Sequence, residues 1–213
     1  MKTNNSEKIK VMTSVALMTA VLCILSPLSA PIGPVPISLA VLAVLLCAYV
    51  LSPVQAGLSS FIYMILGFVG LPVFAGYTAG PGRLLGPTGG YIIGFIFLAV
   101  ISSVAVKKSY SLPLATEGKT VTTGLKGAVI QIVGMLIGLA VLYAFGTAWF
   151  VISKNDPAII GDAAGGMTVA TALAKCVTPF IAVDLIKIAT AFVTGNAVRM
   201  ALTRAGLVER YSH

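Results

Sequence analysis

VMTSVALMTAVLCILSPLSAPIGPVPISLAVLAVLLCAYVLSPVQAGLSSFIYMILGFVGLPVFAGYTAGPG fills positions 11–82, between Lys10 and Arg83, without one Asp, Glu, Lys or Arg. A run of 72 uncharged residues is too long to bury inside a soluble domain. It is long enough for three membrane passes of about 20 residues joined by short loops. Two further charge-free stretches, 84–106 and 127–153, each have spanning length. The last apolar region, about 179–202, carries only Asp184, Lys187 and Arg199. The alternation of outer-membrane strands is absent, so helices are the expected spanning elements.

Composition agrees. Of 213 residues, 58% are apolar and 9% charged, which leaves too little polar surface to cover a soluble monomer. Disorder is excluded by the same hydrophobicity. The expected fold is all-α: a polytopic bundle of six transmembrane helices, forming a single transmembrane domain over 1–213. The helices are expected at about 9–28, 37–51, 53–69, 87–106, 125–150 and 179–203. The second and third are short and meet at Ser52-Pro53.

The net charge of +8 raises nucleic acid as a partner, but its distribution argues against it. With the N-terminus in the cytoplasm, Lys2, Lys8, Lys10, Lys107, Lys108, Lys119, Lys126, Arg199, Arg204 and Arg210 all fall on the inner side. That is ten of the 14 basic residues. The positive-inside rule then predicts an even number of passes with both termini cytoplasmic. Residues 1–30 share a basic start and an apolar run with secretory signals, but Pro31 after Leu28-Ser29-Ala30 disfavours cleavage. Cys23, Cys47 and Cys176 lack metal spacing and read as small apolar fillers.

Two composition shifts fall on the outer side of this topology. Residues 27–36 hold four of the 11 prolines, and residues 67–94 hold nine of the 22 glycines. Helix cannot propagate through the first stretch. A third outer connection, about 151–178, has a flexible Gly161-Asp162-Ala163-Ala164-Gly165-Gly166 run, with a short interfacial helix expected over Met167–Val177. Elaborate apolar loops on one side suggest lids over a cavity open to that side. The plainer alternative is that Gly permits close packing and Pro ends helices.

Asp184 and Lys187 lie three apart, on one helix face. Each charge in a membrane helix costs roughly 2.5–3.5 kcal/mol even on lenient scales, so both need a partner or a polar cavity. One reading is a mutual ion pair that staples the bundle. The other is a binding floor for a neutral group with both N–H and C=O, such as a urea or amide. There the carboxylate accepts and the ammonium donates. Arg83 is the sole charge of the Gly-rich loop. It either snorkels to headgroups or anchors a ligand carboxylate. Gly86-Pro87-Thr88-Gly89-Gly90 then opens the fourth helix, with Pro in its first turn and amides free to hold an anion or carbonyl. Ala16 and Ala20 form a small-xxx-small pair that would let a partner helix approach. Trp149 and Phe150 are expected at a span end, as interfacial aromatics. Catalytic patterns are missing, the single His213 is terminal, and no cofactor or metal set is implied. A stand-alone carrier or channel and an intramembrane enzyme remain as rivals, the enzyme weakest.

Three blocks carry a family resemblance. Leu71-Pro72-Val73-Phe74-Ala75-Gly76, then Leu85-Gly86-Pro87-Thr88-Gly89-Gly90-Tyr91-Ile92-Ile93-Gly94-Phe95, then Pro179-Phe180 through Asp184-Leu185-Ile186-Lys187 resemble the BioY family. Its members are the biotin-binding S components of prokaryotic energy-coupling factor (ECF) transporters. The resemblance implies a vitamin-uptake protein of the cell membrane, not an enzyme, with biotin bound near the outer surface. It implies two kinds of partner, a transmembrane coupling (T) subunit and two ABC-type ATPases. Asp184 and Lys187 would meet the ureido ring. Gly76, Tyr77, Arg83, Thr88 and Tyr91 would line the site, and Ala16 and Ala20 would contact the T subunit. The chain departs from the family at Ala40, where Gln is common, and at Ala182-Val183, where Pro-Gly is common.

Overall fold

The computed structural model describes residues 5–31, 35–111, 124–155, 166 and 168–206. Eight helices are found among them: α1 (Asn5–Leu25), α2 (Ala40–Val50), α3 (Pro53–Val69), α4 (Pro81–Leu85), α5 (Gly89–Tyr110), α6 (Leu125–Asn155), α7 (Val169–Cys176) and α8 (Thr178–Arg204). Two short strands, β1 (Ser29–Ala30) and β2 (Ile37–Ser38), pair antiparallel between α1 and α2. By length and composition, α1, α5, α6 and α8 can each cross a membrane, and α2 and α3 are shorter apolar helices.

Local chemistry sets most boundaries. α1 stops at Leu25, three residues short of expectation: Ser26 N–H still donates to the Leu22 carbonyl (2.9 Å), and Pro27, which has no N–H, cannot continue the ladder. α2 begins at Ala40 rather than 37, because Ile37 and Ser38 are held in the β1–β2 pair, with Ser29 opposite Ser38 and Ala30 opposite Ile37. The junction at Ser52-Pro53 is as expected. Pro53 opens α3, and the Ser52 N–H donates to Gln55 Oε1 at 3.1 Å.

The fourth expected helix needs the largest correction. Pro87 is not in its first turn. Gly86 is extended (φ −73°, ψ −178°), as the residue before a proline prefers, so the chain breaks there. One turn of helix, α4, forms ahead of the break and α5 starts after it at Gly89. α6 runs on to Asn155, which puts Trp149 and Phe150 inside a helix and not at its end. Phe150 is a core residue, 1% exposed. The short helix expected over Met167–Val177 is present as Val169–Cys176. Met167, the Gly161–Gly165 part of the Gly run, the inner loop over 112–123 and His213 lie outside the described residues.

α5 is the central helix, packed against α2, α3 and α6. Its contact with α6 is the most extensive in the bundle, and small residues permit it. A Cβ on Gly134 would run into Ala105, and one on Gly138 would meet Leu98 and Ser102. Between these layers lie the fully buried side chains of Tyr49, Tyr63, Phe74, Leu98, Met135 and Leu142.

The C-terminal ends of α2, α5 and α8 and the start of α6 share a buried polar cluster. Gln131 accepts from Tyr49 Oη (2.9 Å) and Asn196 Nδ2 (3.1 Å), and donates to Ser109 Oγ (2.8 Å). Tyr110 Oη donates to Asn196 Oδ1 at 2.6 Å. Arg199, expected on the inner side, is buried in α8, where its guanidinium donates to the Tyr49 carbonyl (2.7 Å) and lies 4.4 Å from the Tyr110 ring centroid. Gln131→Leu removes the hub of this cluster. Interhelical hydrogen bonds in membranes contribute about 0.6 kcal/mol each on average, so a loss of roughly 1–2 kcal/mol is expected. A lowered melting temperature in detergent with unchanged ligand affinity is the outcome to look for.

Candidate binding cleft

The cleft lies at the opposite end of the bundle from the Gln131 cluster. Two segments roof it. The β1–β2 pair is one, and the loop after α3 is the other. The Gly76 N–H donates to the Pro27 carbonyl (3.0 Å), tying the two together. Within the loop, Phe74 and Thr78 exchange backbone hydrogen bonds (3.0 and 3.3 Å) around a tight turn. That turn puts Gly76 (φ +72°) and Tyr77 (φ +57°) in left-handed geometry, tolerable for Gly and uncommon for Tyr. Phe74 points inward and lies edge-on to Tyr63, ring centroids 5.7 Å apart.

Beneath the roof are two abutting clefts, of about 420 and 390 Å3 including their open mouths. Val35, Pro36, Ser38, Tyr91 and Phe95 line both, so they form one continuous groove. One end is bounded by Arg83, Thr88, Phe74 and Tyr63. The other is bounded by Tyr143, Phe180, Cys176, Asp184 and Lys187. The groove is thus apolar along its length and polar at both ends, the usual build of a small-molecule site.

At the inner end, Lys187 Nζ donates to Asp184 Oδ1 at 2.6 Å. Both side chains are buried, at 7% and 2% exposure. The charges form a mutual ion pair, as the first sequence reading has it, and the pair lines the groove. The second carboxylate oxygen, Oδ2, accepts from Tyr143 Oη at 2.6 Å. Tyr143 was not singled out from sequence. Its partner lies 41 residues away on another helix, and one tyrosine in an apolar run carries no signal of its own.

At the other end, Arg83 is half-buried and its Nε donates to Thr78 Oγ1 at 3.1 Å. Thr88 and Tyr91 line the groove, and Tyr91 Oη shares a hydrogen bond with Thr147 Oγ1 (3.2 Å). Gly76 and Tyr77 sit on the rim, with Tyr77 64% exposed, and neither lines the groove. The amides expected to be free at the start of α5 are partly engaged. Gly89 N–H donates to the Gly86 carbonyl and Tyr91 N–H to the Thr88 carbonyl. Trp149 is half-buried and its Nε1 donates to the same Gly86 carbonyl at 3.0 Å, fixing the turn ahead of α5. Ala40, where the family often has Gln, lines the outer half of the groove. Ala16 and Ala20 are exposed on α1, beside exposed Met12, Leu17 and Ile24. Cys23, Cys47 and Cys176 are free thiols, and the described residues contain no cluster of three or more His, Cys, Asp or Glu able to hold a metal.

Long apolar helices packed side by side, four of them of spanning length, indicate a multi-pass helical membrane protein. Comparison with known proteins narrows the class, because the model of the BioY family matches residues 1–204 and the chain belongs to that family. It is 36% identical over 194 residues to a probable biotin transporter BioY of Pyrococcus horikoshii, covering 90% of this chain and 98% of that one. It is 33% identical over 197 residues to the biotin transporter BioY2 of Lactococcus lactis subsp. cremoris, covering 92% and 93% of the two chains. Among solved structures it resembles the S-component for biotin from an ECF-type ABC transporter. That match has a TM-score of 0.73 and 27% identity, over 92% of this chain and 94% of the other.

Proposed function

We propose that this chain is the biotin-binding S component of an ECF-type uptake transporter in a prokaryotic cell membrane. The observation that carries the reading is the groove with a donor–acceptor pair at one end and a guanidinium at the other. Biotin has a cyclic urea, an apolar sulfur ring and a carboxylate on a flexible chain. Asp184 accepts a ureido N–H and Lys187 donates to the ureido carbonyl. Phe95, Leu142, Phe180 and Tyr91 flank the sulfur ring and chain. Arg83 pairs with the carboxylate, with Thr88 beside it. Gly76 and Tyr77 act on the rim, where the loop closes over bound ligand.

In this reading α1, α2, α3, α5, α6 and α8 make six passes of a single domain, with both termini cytoplasmic and the roofed groove facing out. Capture occurs from outside. Delivery inward requires a T subunit, which docks on the exposed Ala16 and Ala20 face of α1, and two ATPases. The chain itself catalyses no reaction.

The sequence has one tryptophan, and its hydrogen bond to Gly86 couples it to the turn beside Thr88. Titrating purified protein with biotin is therefore expected to give a saturable change in Trp149 fluorescence at one ligand per chain. Absence of saturable binding by fluorescence and by calorimetry would overturn the proposal.

A further inference from the structure

We propose that Tyr143 is a positioning residue that fixes the plane of the Asp184 carboxylate, and that this plane decides which ureido nitrogen of the ligand is read. The inference rests on the biotin-binding reading above and deepens it.

An aspartate χ2 is broad, so a carboxylate held through one oxygen can swivel. Lys187 holds Oδ1, but it sits one turn along the same helix on a flexible stem, and it cannot fix the plane alone. Tyr143 comes from α6, on a rigid ring, and takes the other oxygen at 2.6 Å. That is the short range of hydroxyl-to-carboxylate bonds. α6 and α8 pack against each other much less than α5 and α6 do. Among the described residues, side-chain hydrogen bonds link them at Gln131–Asn196, at the far end, and at Tyr143–Asp184, at the groove. The phenol thus bridges the wall of the groove at the point where the ligand ring arrives.

An ionised carboxylate offers about four lone-pair directions. Lys187 and Tyr143 occupy one on each oxygen. The remaining directions are fixed in space once the plane is fixed. The two N–H groups of the ring are inequivalent, because the side chain leaves the bicycle on one side. A fixed acceptor therefore aligns with one of them and not the other.

The test uses biotin and its two mono-N-methylated ureido regioisomers, titrated against wild-type protein, Tyr143→Phe and Tyr143→Leu. Wild type is expected to bind biotin and to separate the two regioisomers by at least about 10-fold, the value of one well-aligned charged hydrogen bond. Tyr143→Phe is expected to bind biotin about 10- to 100-fold more weakly with an unchanged melting temperature, and its regioisomer ratio should fall toward one. Tyr143→Leu should match Tyr143→Phe. Biotin affinity retained in Tyr143→Phe but lost in Tyr143→Leu would make the ring a packing element and overturn the inference. So would weaker binding with the wild-type ratio intact, or no discrimination by wild type. Wild-type protein that does not bind biotin at all overturns the reading beneath it as well.

Discussion

Asp184→Asn is expected to raise the dissociation constant for biotin by about 10- to 100-fold, and to lower thermal stability at the same time. Two effects add. The ligand exchanges an ionised acceptor for a neutral amide oxygen, and a hydrogen bond to a charged group contributes about 1.5–3 kcal/mol. Lys187, only 6% exposed, also loses its counter-charge and is left buried and unpaired. Breaking such a pair from one side typically destabilises by about 3–5 kcal/mol. Loss of binding in this variant alone therefore does not separate a site from a staple. The double variant Asp184→Leu, Lys187→Met does separate them. Replacing a buried pair by apolar groups of similar size is often neutral or stabilising. The double variant should regain a melting temperature near wild type and still fail to bind. Biotin binding by that folded, apolar variant would remove the pair from the site.

The second large effect is expected from Gly67→Val. The tip of the Phe74 ring lies against the Gly67 backbone, and a Cβ there would run into its Cζ and Cε1 atoms. Phe74 is 1% exposed, and its far side lines the outer half of the groove. Gly80 N–H also donates to the Gly67 carbonyl at 2.8 Å, so both ends of the roof loop are anchored at this residue. Overpacking a tight contact of this kind costs typically about 1–3 kcal/mol, and the upper end is expected because the ring has nowhere to move but into the groove or out to solvent. Binding should weaken by more than about 10-fold, mainly through a faster off-rate, since the roof can no longer seat. A variant with wild-type off-rate and stability would show that the roof is not built on this contact.

Sequence made the last helix's charges conspicuous, because Asp and Lys in an apolar run must be compensated. The helix junction at Ser52-Pro53 was also legible, since a missing N–H acts locally, whereas the first helix, expected to run through Pro27 to 28, ends at Leu25. Other features were hidden for identifiable reasons. Pro87 looked like a helix start, but its effect on Gly86 was stronger than its own fitness for a first turn, and the helix divided into α4 and α5. The β1–β2 pair takes only two residues per strand, below the length at which alternation can be seen. Arg199 read only as an inner-side charge near a helix end. Its place beneath the Tyr49 carbonyl depends on α2 lying against α8, which sequence order does not reveal. Tyr143 and the Gly67–Phe74 contact are likewise tertiary, and each becomes visible only when two helices or a helix and a loop are brought together.

The Asp184–Lys187 pair has an electrical consequence. One negative and one positive group stand 2.6 Å apart on one helix. A lone charge within a span would couple to the voltage across the bilayer at about 2.3 kcal/mol per 100 mV for a full crossing. A salt pair carries no net charge for that voltage to act on. In the biotin-binding reading proposed above, a neutral urea would therefore exchange on and off the floor of the groove without work against the field.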